Sequence, residues 1–370
     1  MAEPLDVDRL LADPATRIIV CCGAGGVGKT TTAAALGLRA AEVHGRRTVV
    51  LTIDPARRLA QSMGLSELDN TPRQVKGIDG GNGGELHAMM LDMKRTFDEV
   101  VQLHTTPQRA AEIFANPFYQ AMSSTFAGTQ EYMAMEKLGQ LRSTDEWDLI
   151  VVDTPPSRSA LDFLDAPARL SRFLDGRMLR LLLAPARSGK SMFSLVTASF
   201  GLFSRAVQKI LGAQLLTDLS GFVAALDSMF GGFRQRADET YRILQDPQTA
   251  FLLVAAPEKD AVREAAYFAK RLVAERMPLA GVVLNRMHRS EISVLGAERS
   301  EAAAAATDQQ MTADALRIHA ALMRQIEREA IVAATFTDAF PGVPAASIAA
   351  QPADVHDVDG LRTIGNLLVA

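Results

Sequence analysis

Short apolar runs recur along the chain, and each closes on a glycine or a polar residue. RIIVCC (Arg17–Cys22) runs into Gly23, TVVLTI (Thr48–Ile53) into Asp54, and WDLIVV (Trp147–Val152) into Asp153. FLLVAA (Phe251–Ala256), GVVL (Gly281–Leu284, followed by Asn285) and PAASIA (Pro344–Ala349) repeat the pattern, and Glu85–Met93 supplies a further run. Uninterrupted apolar segments of this length, rich in β-branched residues, predict strands buried on both faces. Between the first two, Thr30–His44 carries Ala and Leu at helical spacing and stops at Gly45. Strands alternating with helices predict an α/β fold with a mostly parallel sheet flanked by helices. The glycines Gly80–Gly84, around Asn82, read as a plain flexible turn before the Glu85 strand.

Two stretches break this rhythm, about 94–143 and 159–245. Both have helical character and are rich in Met and Phe, and 160–235 holds eight of the sixteen phenylalanines. They are expected to form a helical subdomain inserted into one domain spanning 1–370. Ala302–Arg328 predicts a further helix on the C-terminal side.

Composition narrows the function classes. The 370 residues are 48% hydrophobic and 22% charged, with net charge −4, which is globular and gives no basic excess for nucleic acid. At 6% aromatic residues, stacking platforms for single strands are also disfavoured. Cys21 and Cys22 are the only cysteines. Adjacent in sequence, they fit a reducing cytosol and exclude a CxxC zinc site, so no zinc is expected. The N-terminus has no secretory pattern and no segment is apolar for the ~20 residues that a spanning helix needs. A cytoplasmic protein is expected.

The most specific signal is Gly23-Ala24-Gly25-Gly26-Val27-Gly28-Lys29-Thr30, which fits GxxxxGK[ST] between a predicted strand and a predicted helix. A P-loop NTPase follows, binding ATP and Mg. Glycines let main-chain amides turn inward on phosphates, and the helix N-terminus adds partial positive charge. Lys29 is expected on the β- and γ-phosphates, Thr30 on Mg²⁺, and Thr31 on the α-phosphate. Asp153, after four apolar strand residues, has the Walker B arrangement, a carboxylate near Mg²⁺ or its waters. Asp54 opens Asp54-Pro55, and on the residues alone a turn role and a catalytic role weigh equally. Asn285 is a strand-end amide that could read donor and acceptor groups on adenine, or merely finish a strand.

Taken together, GAGGVGKTT at 23–31, DPARRLA at 54–60, DTPPSRSALDFL at 153–164 and VLNR at 283–286 resemble the arsenical-pump and tail-anchored-protein-targeting ATPase family. The resemblance is strong in the α/β core and weak in the helical insert. It implies that Asp54 orients the attacking water, Asp153 opens the γ-phosphate-sensing switch, and Asn285 reads adenine. It also implies that the segment near Val343 and Pro344 closes over the base. The family works as a dimer whose closure on ATP moves helical subdomains.

The chain departs from that pattern in one telling place. Where the family's loop begins Gly-Lys, with a lysine that reaches the partner's phosphates, this chain has Ala24. Three accounts stand: a heterodimer with a lysine-bearing relative, which is favoured over a homodimer; a substitute cation among Arg57, Arg58 and Arg158; or slow hydrolysis in an ATP-dependent switch. The alternative function is a nucleotide-binding scaffold subunit with little turnover. Within the insert, 176–217 contains no Asp or Glu, while Arg and Lys lie among Leu, Phe and Met. Self-packing, a groove for a hydrophobic client and peripheral membrane contact are the three readings of it.

Overall fold

A computed structural model describes residues 3–53, 58–65, 68–117, 119–120, 129–155, 235–236, 238–292 and 294–369. Its strands are β1 (Ile18–Cys22), β2 (Arg47–Thr52), β3 (Arg73–Gln74), β4 (Glu85–Met90), β5 (Leu149–Asp153), β6 (Thr249–Ala255), β7 (Leu279–Met287) and β8 (Ala345–Ala349). They form one sheet in the order β3-β4-β2-β5-β1-β6-β7-β8. Every pairing is parallel except β3 with β4. All residues of β1, β5 and β6 are buried, as their unbroken apolar runs predict for a sheet covered on both faces.

Its helices include α1 (Val7–Ala12), α2 (Lys29–Glu42), α3 (Arg58–Ser62), α4 (Met93–His104), α5 (Pro107–Ala115), α6 (Thr129–Ser143), α7 (Lys259–Ala274), α8 (Ala297–Ala306), α9 (Gln310–Ala339) and α10 (Val358–Leu367). The described residues divide into two compact units. One holds the sheet, within 1–91, 141–161 and 243–370; the other, within 92–140 and 162–242, holds α4, α5 and most of α6. In the second unit, buried Tyr119 stacks near Phe97 and Phe114 and donates its hydroxyl to Asp98.

Three local expectations need correction. The Glu85 strand ends at Met90, because Asp92 caps α4 by accepting from Arg95 N. The single helix expected over Ala302–Arg328 is two, α8 and α9. Thr307 and Gln309 adopt extended backbone, and Thr307 Oγ1 accepts from Gln309 N at 3.3 Å, a side-chain turn that competes with the helix. The glycine-rich turn at 80–84 is tied down: Asn82 Nδ2 donates to the carbonyls of Glu42 and Val43 at the end of α2.

Buried polar side chains fasten the unit that carries the site. Arg46 is 7% exposed, and its guanidinium donates to the carbonyls of Leu11, Asp13, Thr16 and Asp148, drawing the loop after α1 onto the sheet. On α2, Arg39 pairs with Asp8 through two 2.7 Å bonds, and His44 Nε2 lies 2.8 Å from the same carboxylate. The amphipathic α10 buries Leu361 and Ile364, while its Arg362 grips Glu42.

Candidate functional site

The site lies at the carboxyl ends of the parallel strands, where open α/β sheets keep their ligands. β1, at the centre of the sheet, runs directly into the glycine loop and α2. Gly23 leaves the strand with φ +153°, and a Cβ there would lie 2.0 Å from the Val254 carbonyl oxygen of β6. No side chain fits that gap, so the loop's departure from β1 requires glycine. Lys29 opens α2, is 6% exposed, and folds back so that Nζ donates to the Ala24 carbonyl at 2.8 Å. Its ammonium therefore lies over the loop.

Parallel register aligns the acidic end of the site. Thr52 of β2 and Cys21 of β1 are the Cα partners of Asp153 in β5, and residues in parallel register point to the same face. Asp153 is wholly buried, and its Oδ2 accepts from Thr30 Oγ1 at 2.7 Å and Thr52 Oγ1 at 2.9 Å. Thr154 then bonds the Cys21 carbonyl through its hydroxyl at 2.7 Å, fixing the exit of β5 against β1. Cys21 and Cys22 are free and buried, and burial raises both thiols, Cys22 to about 12. Both stay protonated at neutral pH and serve strand packing.

These features fit Mg-ATP. The glycine loop at a helix N-terminus is a cradle for phosphates, and a hydroxyl beside a carboxylate is the hard oxygen set that Mg²⁺ takes, partly through waters. The loop residues Ala24, Gly25, Gly26 and Val27 also border a recess of about 220 Å³. Its other wall carries three acids, Glu258, Asp260 and Glu264.

The chain matches the sequence model of the anion-transporting ATPase family over residues 16–312. It belongs to that family. Among its relatives, ATPase GET3 of Malassezia globosa is 25% identical over 290 residues, 77% of each chain. ATPase ASNA1 homolog 2 of Paramecium tetraurelia is 26% identical over 286 residues, 75% of this chain and 78% of the relative. ATPase get3 of Schizosaccharomyces pombe reaches 30% over 175 residues, 46% of this chain and 49% of its own. The resemblance seen in the motifs therefore extends over most of this chain.

Within the anion-transporting ATPase fold, the structure brings Gly23, Gly25, Gly26, Val27, Gly28, Lys29, Thr30, Thr31, Asp153 and Asn285 to the carboxyl end of the sheet. Thr31 sits half-buried in the first turn of α2. Asn285 is 9% exposed, and its Nδ2 donates to the Val27 carbonyl at 2.8 Å. Asp54, Arg57 and Arg158 lie outside the described residues, as do the side chain of Arg58 and the whole of the basic stretch 176–217. Val343 and Pro344 are not at this end. They precede β8, where Pro344 O accepts from Val282 N, at the amino end of a strand parallel to β7. Parallel topology places the start of β8 at the opposite end of the sheet from Asn285. The segment that leaves β8 on the site side begins at Ala350, whose N–H bonds Met287 O. Thr52 escaped the sequence reading, since a strand threonine announces nothing until register sets it beside Asp153.

Among the described residues no helix is long and apolar enough to cross a membrane.

Proposed function

We propose that this chain binds Mg-ATP in the Gly23–Thr31 loop and hydrolyses it as a switch. The observation that carries the reading is the 2.7 Å bond between Thr30 Oγ1 and the buried Asp153 carboxylate, directly below a glycine loop with Lys29 folded over it. Lys29 exchanges the Ala24 carbonyl for phosphate oxygens, a stronger charge-assisted bond. Thr30 and Asp153 would hold the metal, Asp153 by way of its waters, and Thr52 keeps the carboxylate aimed. Mg²⁺ bound there would supply charge neutralisation for the phosphoryl oxygens. Asp54 orients the attacking water, as its motif in the family suggests. Asn285 contacts the adenine, and the segment after β8, rather than Val343 and Pro344, lies on the base side.

The switch acts as a dimer. Ala24 supplies no charge to a neighbouring site, so a homologous subunit bearing lysine at this position completes this chain's active site. Nucleotide-driven closure then changes the helical region's hold on a hydrophobic or membrane-associated client in the cytoplasm. The resemblance of the motifs, the family membership and the Met- and Phe-rich insert support this reading. A scaffold subunit with little turnover is the second reading, favoured by Ala24 itself. Phosphate release from the purified chain, alone and mixed with a lysine-bearing relative, separates them. Turnover that appears or rises sharply in the mixture supports the shared site. No turnover under either condition, with ATP bound, favours the scaffold.

A further inference from the structure

The contact between Asn285, which lies within β7 two residues before its end, and Val27 is fixed from both sides. The β7–β8 pairing is irregular between Leu284 and Met287, and irregularities of this kind re-aim side chains beside sites. Arg286, inside that irregularity, has φ +62°, a region that few non-glycine residues enter. The Arg286 N–H donates to Asn285 Oδ1 at 2.9 Å. With the oxygen end held, Nδ2 is turned to the Val27 carbonyl at 2.8 Å. The facing side is equally specific. Gly28 has φ +94°, and a Cβ on it would lie 2.2 Å from Asn285 Nδ2. Only glycine at 28 lets the amide approach.

We infer that Asn285 is a positioning residue for the phosphate loop, fixing the Val27–Gly28 peptide before any nucleotide arrives. The carbonyl and N–H of a trans peptide point in opposite directions. Holding the Val27 oxygen toward β7 aims the Gly28 N–H away from it, as an amide serving a phosphate must point. The side-chain amide has two N–H donors and two lone pairs. Val27 takes one donor and Arg286 one lone pair, so one of each remains for a base. Positioning the loop and touching adenine are thus compatible, and one residue couples both ends of the nucleotide.

The inference rests on the nucleotide-binding reading, and inorganic tripolyphosphate separates the two because it has no base. Calorimetric titrations with Mg-ATP and with Mg-tripolyphosphate are made on wild type, Asn285→Ala and Asn285→Asp, well below each protein's melting temperature. Asn285→Asp keeps the acceptor for Arg286 but loses the donor to Val27, so it guards against misfolding of the alanine variant. Wild type should bind both ligands, and both variants should lose about three- to tenfold in tripolyphosphate affinity, the worth of one hydrogen bond. Unchanged tripolyphosphate affinity with weakened ATP binding would leave Asn285 a base reader only and overturn the inference. A wild type that takes ATP but not tripolyphosphate also overturns it, because the loop would not be preformed. A wild type that binds neither overturns the nucleotide reading itself.

Discussion

Replacing Ala24 by lysine introduces the cation that the shared-site proposal assigns to a partner subunit, and the structure lets the outcome be weighed. Ala24 is 8% exposed and borders the recess of about 220 Å³ whose far wall carries Glu258, Asp260 and Glu264. An ammonium group introduced there has two competing destinations. Within its own chain it meets up to three carboxylates, two of them on exposed residues, where an ion pair is worth about 0–1 kcal/mol each and so at most ~3 in sum. Across a closed dimer it meets a phosphoryl group in transfer, where such a cation is worth roughly 4–7 kcal/mol. The second interaction wins by at least ~1 kcal/mol, so Ala24→Lys should raise turnover of the chain alone by between roughly fivefold and 10⁵-fold. The gain should be second order in protein at low concentration, because the lysine acts on the partner. Steady-state phosphate release across a protein dilution series measures both. An Ala24→Lys protein that still binds ATP, yet hydrolyses it no faster than wild type at any concentration, would refute the shared-site argument.

Three further outcomes follow from side chains in the sheet unit. Asp153→Asn keeps oxygen to accept from Thr30 and Thr52, so the free protein should melt near the wild-type temperature. ATP binding should lose its dependence on Mg²⁺, read by titration with the metal and with a chelator. Arg46→Met strips donors from four carbonyls and should lower unfolding stability by about 2–4 kcal/mol, measured in urea. Asp8 has its carboxyl lowered from 3.8 to about 2, chiefly by its bond to Arg39, with burial opposing. Because the folded value is depressed, this contribution is full above pH 3.8 and disappears as pH falls toward about 2. Asp8→Asn should therefore flatten the acid limb of the melting profile in that window.

Much of the α/β unit is written in the linear pattern. Buried strands such as Ile18–Cys22 and Thr249–Ala255 are legible because a parallel sheet covered on both faces demands consecutive apolar residues. The glycine loop is legible because its spacing answers one chemical problem. What escaped depends on tertiary placement. The short α1 and two-residue β3 are too brief for a period to show. The last helix, α10, does carry Val358, Leu361, Ile364 and Leu367 at helical spacing, but so short a stretch, broken by two glycines, passes for a loop until Leu361 and Ile364 are seen buried in the unit. Strand direction was the missing term for Val343 and Pro344. A strand can be predicted locally, but which of its ends faces the loop is a property of the sheet. The Thr52–Asp153 bond is a matter of register and the Asn285–Val27 bond one of loop placement, joining residues 101 and 258 positions apart.

The central claim is that the ammonium of Lys29 and the amides of the glycine loop together hold a triphosphate. Calorimetric titration of Mg-ATP into the wild-type chain and into Lys29→Ala addresses it directly. The account predicts one saturable site per chain in the wild type and loss of tight binding in the variant, with the fold retained by circular dichroism. Equal affinity in the two proteins would contradict it.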